Sequence, residues 1–262
     1  MRKTDPAKEI AAFCDALATG GSTKGDVHIA NAFSVRPWSA EFLLILNAFM
    51  DRTELVISTI DRVDVDDDHR KEMKSHVRAL QGLCSLKVLG ATWNNSDGGL
   101  PLVKGASRAA VSSLSPSIRL WVWYPLLEEQ ERQGVLAQVE MIIGKLEELQ
   151  LGDRDFIRQA LIDGLRQFHF RLARLKWLGW GYTIAGLRSV ITAYLALERD
   201  FPNANENTSA AAAMKWTQGL FETVWKYTGY AADAKSRYDV AALAFNVAHV
   251  AGPFIAGYLS AG

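Results

Sequence analysis

A charge excess of either sign is what this chain most plainly lacks: Lys plus Arg and Asp plus Glu each number 29 in 262 residues. A neutral balance leaves no overall field to hold a polyanion or an acidic lipid surface, so nucleic acid is not an expected partner. Cysteine is nearly absent. Cys14 and Cys84 supply neither a metal-ligand spacing nor a disulfide framework, and both read as small core residues of a protein from a reducing compartment. Also missing are any repeat at a solenoid period and any motif that names a reaction. The segment Met1 to Glu9 is charged and lacks the apolar core of a secretory signal. A cytoplasmic location is expected, with the membrane periphery as its alternative.

The longest gap in charge is at the C-terminal end. After Asp239 no Asp, Glu, Lys or Arg occurs through Gly262. A run of that length is close to what a hydrocarbon core of roughly 30 Å requires. Asn246, His249 and Gly252-Pro253 interrupt it, and much of its apolar content is alanine and glycine, which favour lipid only weakly. A buried core helix is therefore expected, with an oligomer contact or membrane insertion as alternatives.

What is present is helical periodicity. Hydrophobic residues make up 49% of the chain and charged residues 22%, a balance suited to a globular protein with a substantial core. Asp5-Pro6 opens a helix whose apolar positions Ile10, Phe13, Cys14 and Leu17 end before Gly20-Gly21. Residues 22–36 read as irregular. Ser39 caps a helix reaching Asp61, apolar on every side from Phe42 to Leu46, and Asp66 or Asp67 starts another carrying Met73, Val77, Leu80 and Cys84.

Asn94 to Gly99, followed by Leu100-Pro101, is the clearest loop, and 94–101 is the only place where the chain invites subdivision. Residues 118–124 are too short a run to assign to strand or helix. A helix with Val135, Leu136, Val139, Ile142, Ile143, Leu146 and Leu149 ends at Gly152. Asp153 caps a second, with Phe156, Ile157, Ala160, Leu161, Leu165, Phe168, Leu172 and Leu175 as core positions, making an antiparallel hairpin. Helices over Thr183 to Arg199 and from Ser209 onward complete the pattern. The expected fold is all-α: a compact multi-helix bundle of about eight helices in one domain, with little or no β-structure.

Three constellations bear on function. Asp68, Glu72 and His76 lie at successive i+4 positions, a face able to hold a divalent metal, although an acidic helix start also complements the helix dipole. Arg166 to Trp177 is basic and aromatic, yet Phe168, Leu172 and Leu175 belong to the core stripe and leave only a narrow basic edge. The segment Trp177 to Leu187 mixes indoles with glycines. Such glycines signal a close backbone approach or a helix break, or else an element suited to the membrane interface.

The leading expectation is a non-enzymatic helical interaction protein acting through self-association or a protein partner. Trp177, Trp180, Tyr182, Leu187, Phe254, Ile255 and Tyr258 are its candidate contacts with partner or membrane. The second expectation is a membrane-active effector using the Trp/Gly segment and the uncharged tail. The third is a metal-dependent enzyme using Asp68, Glu72 and His76. No catalytic triad and no bound cofactor are expected.

Overall fold

The computed structural model describes residues 3–201 and 208–228, and helices dominate them. The only named strands among these residues, β1 (Lys3–Thr4) and β2 (Tyr124–Pro125), are two residues long. The described residues fall into two compact units. The first comprises Thr4–Trp123 and Trp177–Gly179; the second takes Lys3, Tyr124–Lys176 and the described chain from Trp180. The loop 94–101 lies inside the first unit.

In the first unit, helix starts follow the sequence closely. Asp5 caps α1 (Pro6–Leu17) by accepting from Lys8 N at 3.0 Å, with Pro6 at the first helical position. α2 (Gly25–Ala32) forms where an irregular stretch was expected. Of its buried residues, Gly25, His28, Ile29 and Ala30, only Ile29 is a large aliphatic side chain, so little apolar periodicity announces it. Ser39 caps α3 (Ala40–Ile60), and Asp66 caps α4 (Asp67–Gln81). Loss of one such cap typically costs about 1 kcal/mol. Leu43 is exposed, so α3 is not enclosed on every side.

Short helices α5 (Leu86–Gly90), α6 (Leu100–Lys104), α7 (Ala106–Ser113) and α8 (Ser115–Arg119) complete this unit. α1 packs on α3, α7 and α8, and α4 packs on α3 and α7. Phe13 at the centre stacks on Phe49 at 4.4 Å and meets Phe33 at 5.0 Å.

The 94–101 loop is held by one indole. Trp93 is fully buried, donates from Nε1 to the Thr19 carbonyl at 3.1 Å, and stacks on His28 at 4.2 Å. A β-carbon on Gly99 would enter that indole, so only glycine lets the loop close over it.

The second unit is a four-helix bundle of α9 (Glu129–Glu147), α10 (Asp155–Ala173), α12 (Trp180–Asp200) and α13 (Thr208–Thr228). α9 contacts α10, α10 contacts α12, α12 contacts α13, and α13 closes the ring on α9. The core includes Val139, Ile142, Leu146, Leu161, Leu165, Phe168, Leu187, Ile191, Leu220 and Phe221. Tyr194 meets Phe221 edge-on at 5.6 Å, and its hydroxyl donates to Glu198 at 2.6 Å.

Two expectations for α10 are corrected. The chain enters it through a 3-10 turn, Gly152–Arg154, with Gly152 at φ 58°, so Asp153 does not cap it. Phe156 and Ala160 are not core residues: both are exposed, Phe156 over 64% of its surface.

Between the two longer helices of this stretch, α11 (Leu175–Leu178) stops at Gly179, whose φ of 77° breaks the helix. Gly181 then lies so close to the Tyr124 ring, and Gly186 to the Arg171 side chain, that a β-carbon on either would crowd its neighbour. The glycines expected to mark a break or a close approach do both.

Candidate functional site

Among the described residues, two concave features bring chemistry together. The first is a cleft of about 240 Å³ between α4 and the α7–α8 pair. α4 contributes His69, Glu72, Met73 and His76 at helical spacing, and the other wall is Ala110, Ser113, Leu114 and Ser117. Beside the cleft, His76 Nδ1 and Ser107 Oγ of α7 lie 3.2 Å apart. Glu72 reaches both ways along its helix. One carboxylate oxygen is 4.0 Å from His76 Nε2 and the other is 3.6 Å from His69 Nδ1.

The structure thus puts Glu72 and His76 together but not Asp68. That carboxylate is almost fully exposed and pairs with Lys71 at 3.2 Å. His69 takes the place sequence reasoning gave to Asp68. No group of three or more His, Cys, Asp or Glu side chains among the described residues is arranged to hold a metal ion. Ser107 carried no sequence signal, being 31 positions from His76.

The second feature is an open groove of about 560 Å³ along the outside of the α10–α12 pair. Its floor is made of small residues: Ala160 and Gly164 from α10, Ser189, Ala193 and Ala196 from α12. Phe156 stands at one end, and Asp163 and Arg188 add one charge of each sign. Asp163 accepts from Gln159 at 3.0 Å, and Arg188 forms no ion pair among the described residues.

Of the contact residues expected from sequence, Leu187 is fully buried in the bundle and presents no free surface. Tyr182 lies under the Arg171 guanidinium, 4.4 Å from its ring. The side chains of Trp177 and Trp180 lie outside the described residues, as do Phe254, Ile255, Tyr258 and the whole uncharged tail.

The basic stretch of α10 is matched locally. Arg166 pairs with Glu147 at 2.6 Å, His169 lies 2.9 Å from Glu140, and Arg174 covers the Phe170 ring at 3.9 Å. No helix among the described residues is long and apolar enough to cross a membrane.

Cys14 is a buried core residue, as expected, whereas Cys84 is half-buried. Burial pushes Cys14 up to about 12, with the neighbouring Asp15 charge adding to it and Arg108 opposing, and burial alone pushes Cys84 up to about 12. Neither is a nucleophile at neutral pH. Set against family models, curated proteins and solved structures, the chain matches none of them.

Proposed function

We propose that this is a helical interaction protein that self-associates through the α10–α12 groove. The observation that carries this reading is that one face holds both halves of a contact. Phe156 projects as a knob beside a floor of alanine, glycine and serine. Asp163 and Arg188 are complementary charges on that face. A two-fold pairing would seat each Phe156 in the other copy's groove and bring Asp163 of one copy to Arg188 of the other.

Magnitudes set the strength. Burying a phenylalanine fully contributes about 1.5–3 kcal/mol, whereas association costs about 4 kcal/mol or more. Two knobs therefore only just offset that cost, and with the small-residue seam they support a weak, reversible dimer populated at high protein concentration. Light scattering across a concentration series tests this. The average mass is expected to rise towards that of a dimer for the native chain and to stay monomeric for Phe156→Asp. A native chain that remains monomeric at high concentration contradicts the proposal.

A further inference from the structure

We infer that the uncharged segment 240–262 docks in the α10–α12 groove of its own chain and competes there with a second copy. The docking is independent of the self-association proposed above; the competition rests on it. The groove is longer than one phenyl ring can fill. Its volume of about 560 Å³ is lined from Phe156 to Gln167 on α10 and from Arg188 to Ala196 on α12, about three turns of the first and two of the second. A trough of that length between two helices suits a third helix, whose side chains enter over Ala160, Gly164, Ala193 and Ala196.

Charge identifies the occupant. A floor of alanine and glycine offers nothing to pair with a buried charge, and burying one unpaired is costly. After Asp239 the chain carries none through Gly262. Val240, Leu243, Val247 and Val250 recur at helical spacing, an apolar stripe of about three turns to match the trough. Reach is also sufficient. α13 packs on α12 and ends at Thr228, and residues 229–239 can bridge up to roughly 36 Å at about 3.3 Å per residue. α12, with 21 residues, is about 31 Å long, so the segment can be delivered anywhere along it.

The consequence is regulatory. A tethered segment is present at high effective concentration and competes strongly even when its own contacts are weak. A tail seated about nine-tenths of the time leaves about a tenth of the copies open to a partner. Because a two-fold contact needs two open copies, the dimer dissociation constant then rises about a hundredfold. Self-association is thereby confined to high concentration or to conditions that release the tail.

The test places the photo-cross-linker p-benzoylphenylalanine in the full chain at Thr192, an exposed position on the groove wall. At a dilution where the chain is monomeric, mass spectrometry of the monomer band is expected to find cross-links from that position to residues 240–262. Val247→Asp, made in the full chain, should abolish them and lower the dimer dissociation constant about tenfold or more, read by sedimentation velocity. The first cross-link leaves the tail unaltered, so it is independent of any folding defect in Val247→Asp. Monomer-band cross-links that miss 240–262, or tail cross-links confined to the dimer band, would overturn the docking. A monomer-band tail cross-link with dimer affinity unchanged in Val247→Asp would overturn the competition. A chain that is monomeric at every concentration yet keeps the tail cross-link would contradict self-association and uphold the docking.

Discussion

A β-carbon added to Gly164 of α10 would stand 3.0 Å from the backbone nitrogen of Val190 on α12, so the two helices touch through their main chains. Main chain cannot swing aside as a side chain can. Overpacking of this kind costs about 1–3 kcal/mol, against at most about 1 kcal/mol gained when glycine becomes alanine within a helix. Gly164→Ala is expected to lower stability, and Gly164→Leu to lower it further, measured by urea unfolding at a dilution where the chain is monomeric.

His28 gives the first unit a sensitivity to acid. Burial lowers its pKa below the usual 6.5, partly offset by the Leu17 carbonyl 3.2 Å from Nε2. Below about pH 6.5 the unfolded chain therefore binds a proton that the folded chain resists, and stability falls as pH drops. Above that value both states are neutral and the contribution is flat. Comparing unfolding midpoints at pH 7.5 and 5.5 checks this: the native chain should lose more than His28→Gln does.

The thiols should report folding. With pKa values of about 12, Cys14 and Cys84 are thiolate to only about one part in ten thousand at pH 8. Reaction with a disulfide reagent is expected to be slow in the native chain and complete in denaturant. Rapid native reaction of Cys14 would contradict its burial, and half-buried Cys84 is expected to react the faster of the two.

Asp5 is a fully buried carboxylate that caps α1, accepts from Ser115 Oγ at 2.7 Å and pairs with Arg119 at 2.9 Å. Breaking a buried pair costs about 3–5 kcal/mol. Because Arg119 retains partial access to water, Asp5→Ala is expected to lie at or below the lower end of that range, read from urea unfolding.

Legibility in the sequence followed the range of each interaction. Asp5, Ser39 and Asp66 were readable as caps because a cap acts within three residues. Phe156 was misread because periodicity identifies a helix face without saying how far neighbours cover it. α2 was missed because only one of its buried residues, Ile29, is a large aliphatic side chain. Glu72 and His76 were legible as a helical pair, whereas the contact of His76 with Ser107 depends on how α4 and α7 pack. The same holds for His169 and Glu140, which meet across 29 positions. Leu187 was read as a surface residue because its glycine-rich surroundings resemble an interface, although Leu187 itself faces the bundle core.

The most direct measurement of self-association exchanges the two charges of the groove. Asp163→Lys and Arg188→Glu should each prevent self-pairing, since a two-fold contact then sets like charges together twice. Mixed in equal amounts they should recover a dimer, because Lys in one meets Glu in the other while Arg188 and Asp163 still meet. Sedimentation velocity is expected to show monomers for each variant alone and a dimer for the mixture. A mixture that stays monomeric, or single variants that dimerise as the native chain does, would contradict pairing through the α10–α12 face.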